Sequence, residues 1–159
     1  MSVLIALESP EQEEVRALLA QSDAYHAGLY PAESNHLLPA SELARENVRF
    51  LVARIDGTVV GCGALLLGKQ GEAEIKRMFV VPSARGRHLG RALLLALEDA
   101  AVAAGVGMIR LETGVKQVPA LALYRSQGYG ERGPFGSYRE DPLSTFFEKR
   151  IGPGDRGAQ

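Results

Sequence analysis

The sequence predicts a mixed α/β fold with one central sheet, in which an antiparallel meander leads into a parallel strand pair and helices cover both faces. Two observations support this prediction. Strand patterns at residues 48–55 and 58–67 are joined by Asp56-Gly57, the pair typical of a two-residue hairpin turn. A third strand pattern, at residues 73–81, is followed by an apolar helix and another strand, as in a right-handed parallel crossover.

The first elements have clear start signals. Residues 2–7 are expected to form a short strand. Ser9 is expected to cap the next helix, with Pro10 at its first position and Gln12 three residues after the cap, which is the spacing of a capping box. Acidic residues in the first turn would suit the helix dipole.

The remaining elements follow from apolar periodicity and from Gly and Pro positions. The helix after the meander is apolar on most sides and must therefore pack on more than one face. The predicted elements are an irregular segment at residues 25–39, a short helix at 41–46, a helix at 88–104, a strand at 108–112, a helix at 119–127 with Gly128 as its C-terminal cap, and closing strands at Tyr129 and at 144–151.

Length and composition predict one domain. A chain of 159 residues that is 46% hydrophobic can bury a single core without disulfides or metals. We expect this domain to cover residues 1–151 and the Gly-rich polar residues 152–159 to form a disordered tail. The lone Cys62 excludes an intrachain disulfide and a cysteine-based zinc site, and its small apolar neighbours indicate a core residue. No metal is expected.

The charge and hydropathy of the chain limit the classes of binding partner that it can have. The formal net charge is −1, so no global feature favours nucleic acid or anionic lipid. No apolar run approaches the ~18 residues of a membrane helix, and no leader pattern precedes the first strand. A cytoplasmic protein is expected, and monomer and homodimer both remain open.

A basic, glycine-containing loop joins the third strand to the apolar helix. Free backbone N–H groups and the positive end of a helix dipole attract phosphate at such a position. The loop is therefore predicted to bind a pyrophosphate on a small anionic ligand. Its residues are Arg85, Gly86, Arg87, His88, Leu89, Gly90 and Arg91.

Two motifs resemble a known family. Residues 73–82 with residues 85–94 resemble the cofactor-binding core of the GNAT superfamily of acetyl-CoA-dependent N-acetyltransferases, and residues 117–129 look like the tyrosine helix of the same family. The resemblance extends over nearly the whole chain and indicates a small, stand-alone bacterial-type member. It implies a GNAT-like sheet whose parallel strand pair splays around acetyl-CoA, the co-substrate.

The resemblance also implies site residues. Tyr124 matches the general acid for the departing thiolate, Glu74 matches a strand glutamate that acts as base, and the Val80 N–H would polarise the thioester carbonyl. His88 stands where the family has a glycine: a helical backbone there would preserve the N–H contact to phosphate, and the side chain could either crowd the cofactor or donate to a phosphate. Gln117 stands where the family commonly has an asparagine. The implied cofactor-binding residues are Met78, Phe79, Val80, Arg85, Gly86, Arg87, His88, Leu89, Gly90, Arg91, Gln117 and Tyr124.

The acceptor site is expected in the first irregular segment and in the loop before the last strand. Tyr30, Glu33 and His36 lie in the first, and Tyr138 lies in the second. Both charge signs are available there, so the charge of the acceptor stays open, and a histidine could replace Glu74 as base. The expected acceptor is a small-molecule primary amine, with a protein lysine or N-terminus as the other possibility, and it attacks directly in a ternary complex.

Two alternatives of other classes remain. A catalytically silent acetyl-CoA sensor would keep the binding residues without turnover. A dinucleotide-dependent oxidoreductase would also use a strand, a glycine loop and a helix, and Glu112 falls about 20 residues after the loop, where a ribose-binding acid belongs. The loop lacks the third glycine of that fingerprint, which disfavours the oxidoreductase.

Overall fold

The structure of the protein is a computed structural model that describes residues 2–152. Except for Gly152, the predicted tail lies outside these residues. The strands are β1 (Val3–Leu7), β2 (Val48–Ile55), β3 (Thr58–Leu67), β4 (Glu72–Val80), β5 (Met108–Gly114), β6 (Gly130–Arg132) and β7 (Ser144–Arg150). The helices are α1 (Glu13–Ala27), α2 (Ala40–Leu43), α3 (Leu89–Ala103) and α4 (Val118–Ser126), with 3-10 turns at Ala32–Ser34 and Pro82–Ala84.

The strands form one mixed sheet in the order β1-β2-β3-β4-β5-β7-β6. Neighbours from β1 to β4 are antiparallel, β4 and β5 are parallel, and β7 is antiparallel to both β5 and β6. The long connection through α3 is the crossover that a parallel pair requires. The predicted fold class, a meander followed by one parallel pair, is confirmed.

The hairpin between β2 and β3 has the predicted bounds. Asp56 and Gly57 form the turn, and both have a left-handed backbone, with φ of 48° and 87°. A type I′ turn requires positive φ at both central residues, which Asp and Gly tolerate better than most residues. The turn fixes the register, in which Ile55 pairs with Thr58.

Helices cover both faces of the sheet. Alternate residues of a strand point to opposite faces. On β2, Leu51 and Ala53 belong to a core with α3 and α4, whereas Phe50 and Val52 belong to a second core with α1 and α2. The apolar helix α3 is thus buried against the sheet and against α4, as its apolar surface on most sides predicts.

A bulge interrupts the pairing of β3 with β4. Between the pairs that flank it, β3 supplies only Gly63 while β4 supplies Arg77 and Met78. Arg77 has a left-handed backbone with φ of 60°. An extra residue reverses the faces of the positions that follow. Ile75 therefore packs in the core with α3, whereas Phe79, four residues later, packs in the core with α1.

The bulge coincides with the separation of β4 from β5. Their parallel pairing ends at Ile75 and Leu111, although β4 continues to Val80 and β5 to Gly114. Beyond this pair the edge of β4 is no longer covered by β5. The splayed parallel pair that the resemblance implied is present.

The predicted start of the first helix was wrong. The helix α1 begins at Glu13, and the hydroxyl of Ser9 accepts a hydrogen bond from the Glu11 N–H (3.1 Å) in a turn before it. The Gln12 amide donates to Glu8 (2.9 Å), and its oxygen accepts from Arg54 on β2 (3.2 Å). The ion pair between Arg54 and Glu8 (2.9 Å) holds this group together and prevents a capping box.

The segment predicted to be irregular is shorter than expected, because α1 continues through Ala27 and places Tyr25 and His26 in its last turn. Helix and strand ends elsewhere differ from the predictions by one to three residues. The helix α3 starts one residue later than predicted, which leaves His88 outside it. Within residues 2–152, no helix combines the length and apolar character needed to cross a membrane.

Candidate active site

A cavity of about 700 Å³ opens where β4 and β5 diverge. Its walls are the free edge of β4, the end of β5, the start of α3, one face of α4, and residues 25–37. The cavity therefore joins the predicted phosphate loop to the predicted acceptor segment. Ligand sites of α/β proteins commonly lie at such a divergence beyond the carboxyl ends of strands.

The end of β4 presents backbone groups to the cavity. The Val81 N–H donates to the Val60 carbonyl on β3 (2.9 Å). Because successive backbone N–H groups alternate between the two edges of a strand, the Val80 N–H points toward the gap. Met78, Phe79 and Val80, the strand residues that the resemblance implies for cofactor binding, all line the cavity.

Two residues of the phosphate loop have a left-handed backbone. Gly86 has φ of 84° and His88 has φ of 59°, and α3 begins directly after His88. The helix predicted to begin at His88 therefore does not include this residue, and His88 does not have the right-handed helical backbone that would preserve its N–H contact. The position demands the conformation that glycine adopts most easily, and an imidazole side chain occupies it at some cost in strain.

The arginines of the loop differ in what they contact. The Arg85 Nε donates to the Val80 carbonyl (3.1 Å), and its guanidinium lies over the rings of Tyr25 (5.1 Å) and Phe79 (5.8 Å). Arg91 is exposed and lines the cavity, while Arg87 is exposed but lies outside the lining. Gly86, His88, Leu89 and Gly90 complete the lining at this end.

Tyr124 lies on α4 at the cavity wall. Its side chain is buried, with 5% of the residue exposed, and its ring contacts Tyr129 and Phe147. Burial raises the pKa of its hydroxyl above the ordinary value, and the charge of Glu112 raises it further. The hydroxyl is therefore held in its protonated form and can donate a proton or a hydrogen bond into the cavity.

Glu112, on β5, is the acidic residue of the cavity lining. Its carboxylate accepts a hydrogen bond from the Ser144 hydroxyl (2.7 Å). Burial raises the pKa of Glu112, and the nearby charges of His36 and Lys76 partly oppose this shift. A carboxylate with a raised pKa is a stronger base than an ordinary carboxylate and is therefore better suited to accept a proton. Sequence reasoning considered this residue only as a ribose ligand.

Glu74 occupies a different position. It pairs with Arg110 in the parallel ladder, before β4 and β5 separate, and it is not part of the cavity lining. Its carboxylate accepts a hydrogen bond from the Tyr138 hydroxyl (2.5 Å) and lies 3.6 Å from Lys76 Nζ. These contacts tie Glu74 to the loop before β7 instead of presenting it at the divergence.

The predicted acceptor residues divide into two groups. Tyr30 and His36 line the cavity, whereas Glu33 is exposed in the Ala32–Ser34 turn and does not. Tyr138 lies behind the lining, where its ring meets the His36 ring (5.1 Å) and its hydroxyl accepts a hydrogen bond from Lys76 (2.5 Å). Tyr138 therefore joins the two predicted acceptor loops.

Several lining residues were not predicted. Their signals were weak in the sequence, because the helical extension of α1 and the bulge in β4 decide which side chains face the cavity. The one available signal for the acid was the alternation of apolar Ile109 and Leu111 with polar Arg110 and Glu112 along β5. The additional residues at this end include Tyr25, Asn35, Lys76 and Glu112, while His26, one of the two histidines considered as a base, also lines the cavity.

Gln117 lies at the start of α4 and lines the cavity. Its backbone N–H donates to the Gly114 carbonyl (3.1 Å), which connects α4 to the end of β5. The Gln117 side chain and the Lys116 N–H both donate hydrogen bonds to the Tyr30 hydroxyl. Burial raises the pKa of this hydroxyl, and the two hydrogen bonds partly lower it.

Comparison with known proteins agrees with this geometry. Residues 13–129 match the acetyltransferase (GNAT) family. The chain is 56% identical over 151 residues to a protein of Azospirillum brasilense named IAA acetyltransferase, which covers 94% of this chain and 99% of that protein. The chain belongs to the GNAT family and is an N-acetyltransferase. The oxidoreductase alternative is thereby excluded.

Solved structures give the same fold. A Klebsiella pneumoniae structure described as an acyl-CoA N-acyltransferase superposes with a TM-score of 0.79 at 39% identity, covering 93% of this chain and 97% of that one. The PaiA N-acetyltransferase of Thermoplasma acidophilum, solved in complex with coenzyme A, superposes with a TM-score of 0.74 at 22% identity, covering 95% and 100%. The second likeness concerns the fold alone.

Proposed function

We propose that the protein transfers the acetyl group of acetyl-CoA to the primary amine of a small molecule, by direct attack in a ternary complex. One observation carries this proposal: Glu112 on β5 and Tyr124 on α4 line a single cavity at the point where β4 and β5 diverge. A proton acceptor and a proton donor thus share one site with the free strand edge.

The residues present fit acetyl-CoA, which supplies an acetyl group activated as a thioester. The uncovered edge of β4 offers backbone groups at Met78 and Val80 for the amides of an extended arm. The start of α3 offers free N–H groups for a pyrophosphate, with Arg91 and His88 beside them. The left-handed backbone at Gly86 and His88 suits a loop that wraps around phosphate oxygens.

Glu112 is the proposed base. An alkylamine is protonated at neutral pH and must lose a proton before it attacks. The raised pKa of Glu112 lets its carboxylate accept that proton, directly or through a water molecule. Glu74, the base implied by the resemblance, lies outside the cavity lining and is already engaged by Tyr138 and Lys76, so we assign it a supporting role in the loop.

Tyr124 is the proposed acid. The departing thiolate is a better leaving group when it receives a proton, and the pKa of the Tyr124 hydroxyl is raised, so this group remains protonated. The Val80 N–H, directed to the gap, is proposed to donate to the thioester carbonyl as negative charge develops there. These groups complete the proton transfers of the reaction without a metal.

The acceptor end supports a small molecule with an apolar or planar part. Tyr25, Tyr30, His26 and His36 contribute rings to this end of the cavity, and Glu112 stands beside them. The similar Azospirillum brasilense protein is named as an acetyltransferase of IAA. A ring-bearing small molecule is the acceptor class that these residues favour over an extended peptide.

Two measurements test the proposal. Acetyl-CoA should raise the melting temperature, and a panel of small amines should include at least one that releases free CoA thiol in the presence of enzyme. The variant Tyr124→Phe should lower kcat by roughly 10²-fold with little change in KM for acetyl-CoA. Stabilisation by acetyl-CoA without thiol release from any amine would instead support the silent sensor.

A further inference from the structure

A buried charged group lies behind α4, away from the cavity. Glu98 on α3 is fully buried, and Lys149 on β7 is 7% exposed. The Lys149 Nζ lies 3.1 Å and 3.3 Å from the two Glu98 oxygens. The Tyr129 hydroxyl donates to the same carboxylate (2.8 Å), so side chains from α3, from β7 and from the turn after α4 meet in the core.

Stability alone does not account for such a group. Removing two charges from water is costly, and apolar side chains of similar volume commonly stabilise a core equally well or better. What hydrogen-bonded charges provide is a fixed geometry, because each partner has a defined direction. The group therefore fixes Tyr129 more tightly than packing would.

Tyr129 in turn contacts Tyr124 in two ways. The Tyr129 N–H donates to the Tyr124 carbonyl (3.0 Å) across the turn at Gly128, which has φ of 91°. The two rings also meet edge to face, with centroids 5.8 Å apart. The backbone and the ring of Tyr124 are thus both held by a residue whose hydroxyl is anchored in the core.

We propose that Tyr129, anchored by Glu98 and Lys149, is a positioning residue that orients the Tyr124 hydroxyl for proton donation to the leaving thiolate. This proposal rests on the acid role proposed for Tyr124. Tyr129 does not line the cavity and does not touch the reacting atoms. Its effect on turnover passes through the ring of Tyr124.

The variant Tyr129→Phe tests the anchor while keeping the ring. We expect kcat to fall about tenfold, because small misplacement of a catalytic group is costly, while KM for acetyl-CoA stays unchanged. The pair Glu98→Leu with Lys149→Met replaces the charges by apolar groups of similar size and should reproduce the loss of kcat in a folded protein. Full activity in both variants would overturn the proposal.

A double-mutant cycle separates positioning from a general structural effect. In a Tyr124→Phe background, Tyr129→Phe should cause no further loss of kcat, because the hydroxyl that it orients is gone. An equal loss in both backgrounds would overturn the proposal and leave the acid role of Tyr124 intact. Unchanged kcat in Tyr124→Phe alone would instead refute the acid role of Tyr124, whereas failure of the wild type to release thiol with any amine would refute the proposed function.

A matched control uses the exposed ion pair near the same turn. Glu131 contacts Arg125 at the end of α4, and both side chains are about half exposed. The variant Glu131→Gln changes charge near Tyr129 without reaching the core, so kcat should equal that of the wild type. A tenfold loss in this control would show that any change near the turn impairs turnover, and would overturn the specific role of the anchor.

Discussion

The ring of Tyr30 lies directly against Gly114, so that a Cβ built on the glycine would overlap the Tyr30 ring and hydroxyl. Tyr30 is 5% exposed, and its hydroxyl accepts a hydrogen bond from the Lys116 N–H (3.1 Å). The end of β5 is therefore in contact with the loop that follows α1. This contact closes the acceptor end of the cavity, because both residues line it.

The substitution Gly114→Ala should displace Tyr30. The added methyl group has no space unless the ring moves, and the move would break the hydrogen bond from Lys116. We expect KM for the acceptor to rise roughly tenfold, since the proposed acceptor site would lose its shape, while KM for acetyl-CoA changes little. Steady-state kinetics with each substrate varied in turn measures both effects.

The matched control is Gly130→Ala on β6, where an added Cβ meets no atom within 4 Å. It should leave both KM values unchanged. A second variant, Tyr30→Leu in the Gly114→Ala background, removes the overlapping ring and should restore the thermal stability that Gly114→Ala loses. If Gly114→Ala alone keeps wild-type kinetics and stability, the contact does not shape the site.

The fall of kcat/KM at low pH, which is the acid limb of its pH profile, should result from protonation of Glu112. Its pKa is raised by burial, so the carboxylate takes up a proton at a higher pH than an ordinary glutamate does. We expect kcat/KM to rise with pH through this pKa, and Glu112→Gln to lower kcat by roughly 10²-fold and to remove the limb. Rates measured across a series of buffers provide the test.

Glu74→Gln is the informative comparison, because Glu74 has the same charge but lies outside the cavity lining. It removes the negative charge, keeps an amide oxygen that can accept the hydrogen bond from Tyr138, and should keep the acid limb. If Glu74→Gln removes the limb and Glu112→Gln keeps it, the base assignment is reversed and the strand glutamate of the resemblance is correct.

The backbone at His88 predicts a gain in stability for glycine. A left-handed conformation costs an ordinary residue about 1–2 kcal/mol, and the greater freedom of glycine in the unfolded chain offsets part of this gain. The variant His88→Gly should therefore raise the free energy of unfolding by roughly 0.5–1 kcal/mol. Denaturant unfolding of the protein without ligand measures this change.

The control for His88→Gly is Ser83→Gly, at an exposed position without a positive φ. It should be neutral or slightly destabilising, because glycine there gains nothing in the folded state. Equal stabilities of the His88→Gly protein and the wild type would mean that the imidazole makes compensating contacts in the loop.

The sequence predicts the sheet better than it predicts the site, and the reason is physical. The turn at Asp56-Gly57 depends only on local backbone preferences, so the hairpin that it joins has the expected bounds. The bulge at Arg77 has no comparable local signal, because an arginine with positive φ is uncommon and is stabilised by tertiary contacts. That bulge decides which side chains of β4 face the cavity.

The difference between local and long-range signals also explains why the sequence pointed to Glu74 as the base, whereas the structure places Glu112 in the cavity. Glu74 and Glu112 are both acidic residues in strands, and the motif resemblance selects Glu74 because of its place before the loop. Only the length of the paired segment distinguishes them: Glu74 lies within the parallel ladder, which ends at Ile75, and Glu112 lies beyond its end. Strand pairing between residues almost forty positions apart is not encoded in any short motif.

Cys62 should be inert in the folded enzyme. The residue is fully buried on β3, and its thiol donates to the Arg77 carbonyl at the bulge (3.2 Å). Burial raises the pKa of the thiol to about 12, so the reactive thiolate is scarce at pH 8. We expect an aromatic disulfide reagent to leave the native protein unmodified and its turnover intact, and to label one thiol per chain rapidly in denaturant.

The variant Cys62→Ala should keep wild-type kcat and lose about 1 kcal/mol of stability. Rapid labelling of the native protein with loss of turnover would instead mean that the thiol is accessible from the cavity, which its burial beneath α1 contradicts.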